Sequence, residues 1–210
     1  MDKLASSEIE RLRVEMLPNK IGEDEIIERL CGGDGTKGSC SSLAFAYAGN
    51  RAGYDVLDFR GGESRHFFSR YANIVNITEQ VGGRVFYNFS DYESYRQALN
   101  VIEVGKEYYY ATSRHAAIIR KLSDGSMEYL ELQSGRSSGY TNGWHELTES
   151  VLKWRFKARK SHTSLGDKWK VGSELIEIGL LAQDRGFRRM LSYINTEPGK
   201  QRKGYAGTIK

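Results

Sequence analysis

The chain has 210 residues, enough for one domain with a full hydrophobic core and an appendage. At 39% hydrophobic and 28% charged, with no apolar run near the roughly 20 residues that cross a bilayer, it excludes a helical membrane span. Two cysteines, Cys31 and Cys40, are too few for a disulfide framework, and His66, His115, His145 and His162 stand at no metal-ligand spacing from them, so neither a metal nor a cofactor is expected.

Residues 3–16 carry Leu4, Ile9, Leu12 and Val14 near one face, which predicts an amphipathic helix ended by Pro18. The same stretch, MDKLASSEIERLRVEM, lacks the apolar core of a secretory signal, so action in the cytoplasm of the producing cell, or export by a route that needs no cleavable signal, is expected. GEDEIIERLC (22–31) reads as a short helix with acids in its first turn. GGDGTKGS (32–39) is a loop, and residues 40–52 form a helix that starts at Cys40, with Ser39 a candidate N-cap. Gly53 ends that helix, and YDVLDF (54–59) follows as a strand. Residues 60–80 are expected as a loop leading into a short helix.

GRVFYNF (83–89) is strand-like. SDYESYRQALNVI (90–102) is a helix in which Ser90 and Glu93 can form a capping box. KEYYYATS and HAAIIRKL (115–122) are strands, and Asp124-Gly125 turns the chain back into SMEYLELQS (126–134) as a hairpin. LTESVLKWRF (147–156) is a helix, with Trp144, Trp154 and Phe156 read as core. Helix first and antiparallel strands after it indicate an α+β fold, with the core domain at residues 1–157. Residues 158–210 read as a C-terminal extension, with a strand in SELIEI, a helix in QDRGFRRMLSYIN and a flexible tail from about 197.

Net charge is +4, unevenly spread. Residues 151–210 hold 14 Lys/Arg against 5 Asp/Glu, a net of +9, which leaves −5 on the rest. A basic stretch of this kind is either a solvated tail or a contact for an anionic partner such as nucleic acid.

Cys40 admits two readings. Free cysteine is a common small core hydrophobe. A cysteine at a helix N-terminus, by contrast, has the helix dipole to favour its thiolate, and the first-turn N–H groups beside Ser39 and Ser41 can bind a developing oxyanion. A nucleophile also needs a base, and His115 opens an apolar strand. The base needs an orienting group. Glu131 and Gln133, of equal parity on the returning strand of the hairpin, are both candidates.

GSCSSLAFAYAGNRAGYDV (38–56) followed by RHAAIIRKLSDGSMEYLELQSG resembles the papain-like toxin domains of bacterial polymorphic toxin systems and the related effectors that deamidate glutamine in host proteins. The matching pattern is Gly/Asn-Cys, an Ala-rich helix, a Gly-aromatic-x-Val exit, a strand histidine, a hairpin and Asp-x-Gln-x-Gly. The resemblance covers roughly residues 31–135. It implies a papain-like fold, with the nucleophile helix packed on an antiparallel sheet. It also implies Cys40 as nucleophile, His115 as base, Glu131 as the acid and Gln133 two positions on, acting on an amide bond of a protein substrate. The family acid is usually Asp; the longer Glu131 leaves the orienting role open between Glu131 and Gln133. A second resemblance, through LDFRGG, EYLELQS, LKWRF and GKQRKG, is to bacteriophage minor head proteins with papain-like regions. It implies a phage head or immunity protein as partner and packaging in a virion or delivery to a target cell. The alternative function is a non-catalytic virion protein that keeps the fold.

Overall fold

The computed structural model describes residues 4, 7–30, 40–57, 62–133 and 141–197. Cys31, Ser39 and the tail from 198 lie outside the described residues. The chain runs β1 (Glu15–Met16), α1 (Glu23–Leu30), α2 (Cys40–Arg51), β2 (Tyr54–Asp55), α3 (Gly62–Phe68), α4 (Tyr71–Gln80), β3 (Arg84–Asn88), α5 (Asp91–Leu99), β4 (Glu107–Thr112), β5 (His115–Lys121), β6 (Met127–Glu131), β7 (Gly143–Glu146), α6 (Glu149–Trp154), β8 (Thr163–Ser164), β9 (Asp167–Lys168), β10 (Val171–Glu177), α7 (Ile178–Gln183) and α8 (Phe187–Ser192).

Six strands make one antiparallel sheet in the order β3-β10-β4-β5-β6-β7. Alternation along the strands divides the core in two. Tyr109, Ala111, Ile118, Leu130 and Ile176 pack under α2 and α4 with Phe45, Ile74 and Ile77. Tyr108, Tyr110, Ala117, Ile119, Tyr129 and Leu175 meet α5, α6 and Phe156 on the other face. Helix and antiparallel strand thus share one body, the α+β class expected from the sequence.

Helix α2 is buried on every side from Ser41 to Asn50, which is why its sequence shows no polar face. It packs tightly on α8 at Gly49, where a Cβ would stand 2.8 Å from Leu191. Phe45 of α2 stacks on Tyr109 of β4 with centroids 4.5 Å apart and seats the helix on the sheet. Such a pair contributes about 1 kcal/mol beyond its buried area.

Four expectations are corrected. Residues 7–14 are not helical: the segment runs extended into β1, tied by backbone hydrogen bonds from Leu12 N–H to Ser192 and from Leu17 N–H to Gly53. Residues 62–80 form two helices rather than one. Ser90 stands at the N-cap of α5 without a side-chain capping bond. The boundary at 157 does not divide the described fold, because β10, from the expected extension, is hydrogen-bonded between β3 and β4, and Leu181, Phe187 and Met190 join the α2-side core. Of the aromatics expected in the core, Phe156 is fully buried and Trp144 partly so. Trp154 is exposed.

Candidate active site

The β5–β6 ladder ends at the Ile118–Leu130 pair, although β6 continues to Glu131 beside β7. The gap this leaves, between Ala116–Ile118 and Leu130–Gln133, is closed from the α2 side by Cys40, Leu43 and Ala44. It is a narrow crevice of about 10 Å³, room for a single water at most. Cys40 and His115 both border it.

Cys40 is the first residue of α2 and is partly exposed. Burial of the sulfur pushes its pKa above the ordinary thiol range. The backbone N–H of Ala116, the Arg155 guanidinium and the backbone N–H of Ser41 act in the opposite direction. The Ser41 hydroxyl is turned inward, 2.9 Å from the Tyr109 hydroxyl, so this residue offers the thiol its N–H and not its side chain.

His115 opens β5 with the parity of Ala117 and Ile119, so its ring leaves the sheet on the face opposite α2 and meets Phe156 edge-on at 4.9 Å. Cysteine and histidine therefore approach the crevice from opposite faces of the sheet. The imidazole is buried, and burial together with the nearby Arg155 lowers its pKa to about 3; the Glu131 charge works against this. Its Nε2 has no hydrogen-bond partner. The resting pair is thus a neutral thiol and a neutral imidazole.

Glu131 does reach this face of the sheet, but its carboxylate is turned to Arg155. Arg155 Nε donates to Oε2 and Nη2 to Oε1 at 2.9 Å, while the backbone N–H of Gln133 donates to Oε1 at 2.8 Å. Burial opposes ionisation of Glu131, yet the Arg155 bonds and the His115 neighbour hold its pKa below the ordinary carboxylate range. The hydrogen bond expected from His115 to Glu131 or Gln133 is not made among the described residues. Gln133 borders the crevice beside them.

On the other side of Cys40 an open groove of about 290 Å³ runs along the sheet, walled by Tyr71, Thr112, Ser113, His115 and Glu174. Glu174 is 2% exposed, its Oε1 has no hydrogen-bond partner, and burial, with the Asp91 charge added, raises its pKa to about 8 against its own backbone N–H. Tyr71 is held at the rim by the Gly172 N–H, which donates to its hydroxyl at 2.9 Å. Only glycine fits there: a Cβ on residue 172 would lie 2.5 Å from that hydroxyl and 2.6 Å from Val85.

Arg155 and Glu174 are the two residues of the site that sequence reasoning missed. The signal for Glu174 was present: in SELIEI it shares parity with Ile176, an acid on an apolar strand face. His162 is 5% exposed and bonded through Nε2 to Asp91 at 2.9 Å. Away from the site, Arg11, Arg13, Arg185, Arg188 and Arg189 line an open groove of about 850 Å³, with Glu15 paired to Arg13 and Arg188. Among the described residues no helix is long and apolar enough to cross a membrane, and no cluster of three metal-ligating side chains occurs. Scans against protein-family models, curated proteins and solved structures return no match to this chain.

Proposed function

We propose that the protein is a cysteine hydrolase of papain-like arrangement that cleaves an amide bond, protein or side-chain. The observation that carries this reading is that Cys40, the first residue of a buried helix, and His115, whose Nε2 has no hydrogen-bond partner, both line the same crevice. The N–H groups of Ser41 and Ala116 beside the thiol add the electrostatic support a developing anion needs.

The chemistry starts from neutral groups. His115 takes the thiol proton as the sulfur attacks the amide carbon, and an S–C bond forms. The proton passes to the departing nitrogen as the C–N bond breaks, releasing an amine or ammonia. Water, deprotonated by His115, then opens the thioester to a carboxylic acid and restores the thiol. Arg155 and Glu131 form the buried ion pair that holds this end of the sheet, in place of an acid bonded to the imidazole. The resemblance in sequence makes a toxin or effector, phage-borne or of polymorphic-toxin type, the role that goes with this chemistry.

The Arg155–Glu131 pairing favours a second reading, a non-catalytic virion protein whose arginine groove contacts an anionic partner. Alkylation of Cys40 separates the two. For a hydrolase, His115→Ala slows iodoacetamide labelling at pH 7 by at least about tenfold, the low end of general-base effects, and Cys40→Ala abolishes amide hydrolysis. Labelling indifferent to His115→Ala overturns the hydrolase reading.

A further inference from the structure

The sequence from 150 to 166 holds five lysines and arginines and no acidic residue. Arg155 is turned inward to Glu131, but Lys153 and Lys157 are exposed and form no ion pair among the described residues. Glu149, one turn before Lys153, reaches instead toward Arg96 at 3.8 Å. Both ammonium groups stand at the ring of Trp154, with Nζ 4.6 Å from its centroid for Lys153 and 5.9 Å for Lys157. Trp154 itself is 58% exposed, the most exposed aromatic side chain among the described residues. Two cations held at one ring repel each other, and an anion arriving there relieves that repulsion.

This cluster is joined to the groove beside Cys40. Ser113 and Arg114, in the turn between β4 and β5, line the groove wall. The turn is fastened to the segment after α6: the Ser113 hydroxyl donates to the Lys157 carbonyl at 2.8 Å, and the Arg114 N–H to the Phe156 carbonyl at 3.1 Å. Ser113 and Lys157 are two of the three non-glycine residues with left-handed backbone among the described residues, at φ 53° and 59°. Such backbone persists only where its surroundings hold it, so the two turns are fixed against each other. They bring Lys157 to the rim that carries Arg114, which is exposed and forms no ion pair among the described residues. Burial keeps Glu174 protonated and His115 neutral at pH 7, so nothing on the described groove wall offsets the charge of Arg114.

We infer, resting on the hydrolase reading, that Arg114, Lys153, Trp154 and Lys157 dock an acidic stretch of the substrate polypeptide beside the amide that enters the groove. Its carboxylates meet the guanidinium and ammonium groups, and its apolar atoms lie on the indole. A nucleic acid has phosphates and bases for the same surface. The rim, however, leads into a groove of about 290 Å³ bordered by Cys40, at the small end of ligand pockets. One side chain fits there and a run of nucleotides does not, so the polymer at the rim is the one that carries the amide.

The test uses the full chain with Cys40→Ala, so that binding is read without turnover. Fluorescence anisotropy at pH 7 follows three labelled probes of similar length: a glutamate-rich peptide, a lysine-rich peptide and a single-stranded oligonucleotide. The glutamate peptide is expected to bind more tightly than the lysine peptide, and more weakly as salt is raised. Arg114→Ala, Lys153→Ala and Lys157→Ala together weaken it about tenfold, at about two- to threefold for each exposed charge pair. Arg185→Ala with Arg189→Ala, in the separate arginine groove, leaves it unchanged. In the chain that keeps Cys40, the bound peptide slows iodoacetamide labelling of the thiol. A glutamate peptide that fails to bind, binds no better than the lysine peptide, ignores the triple variant or leaves the labelling unchanged overturns the inference. So does an oligonucleotide that the triple variant weakens more than it weakens the glutamate peptide. If the peptide binds and shields the thiol while labelling ignores His115→Ala, the hydrolase reading alone fails, so the two failures are distinguishable.

Discussion

Replacing Glu174 by glutamine stabilises the protein, and does so more at high pH than at low. The folded pKa of about 8 stands above the ordinary value of 4.5, so the native state holds a proton that the unfolded chain releases. A raised folded pKa means stability that is complete below pH 4.5 and is lost progressively as pH climbs to 8. Each unit of difference is worth 1.36 kcal/mol, so wild type loses about 4 kcal/mol from this group between pH 5 and pH 9. Glu174→Gln has no such proton to lose and keeps the shape of the side chain, so other titrations cancel in the comparison. Urea denaturation of both proteins at pH 5, 7 and 9 measures it: the gap widens with pH, mostly between 5 and 8. A gap that is constant across that range, or that narrows, refutes the claim that Glu174 is buried without a partner.

Arg155→Met leaves the Glu131 carboxylate buried and unpaired and costs about 3–5 kcal/mol by chemical denaturation. Adding Glu131→Met recovers most of that loss, because the pair rather than either charge is what the site tolerates. His115 is held neutral with a pKa lowered to about 3, so its contribution is present above the ordinary 6.5 and is lost as pH falls; His115→Gln is therefore less acid-sensitive than wild type between pH 6.5 and 4, by about 3 kcal/mol. Gly172→Ala drives a Cβ against the Tyr71 hydroxyl and Val85 and destabilises by about 1–3 kcal/mol, an overpacking effect read from the shift in denaturation midpoint. If the arginine groove contacts nucleic acid, binding of a duplex oligonucleotide weakens linearly in log salt, and Arg185→Ala with Arg189→Ala shallows the slope by about 2; a slope left unchanged rules that contact out.

What could be read from the chain beforehand was whatever is written locally. The helix at Cys40, the Tyr-rich strand, the Asp-Gly hairpin and the strand at SELIEI each carry their own period or turn residue. The N-terminal segment does not: Leu4, Ile9, Leu12 and Val14 fit a helical period. The backbone instead bonds to partners more than 170 residues away, Ser192 for Leu12, Arg188 for the Val14 carbonyl and Asn195 for the Arg13 carbonyl. Long-range partners override propensity and leave no local trace. The same holds in the site. The helix start at Cys40 and the strand start at His115 could be read from their settings, whereas the claim of Arg155 on Glu131 depends on where α6 comes to rest. Parity alone could not show that SELIEI would be an inner strand, and so that Glu174 would be buried.

The insertion of β10 between β3 and β4 also sets an order of events. Strands β3 and β4 are joined to each other only through β10, their shared neighbour, which ends at Glu177. Until that segment is synthesised and inserted, both present open edges, and the wall carrying Glu174 does not exist. A chain cut after residue 157 therefore lacks a seam rather than an appendage. The groove beside the thiol is completed by β10, which follows every other strand of the sheet in the chain.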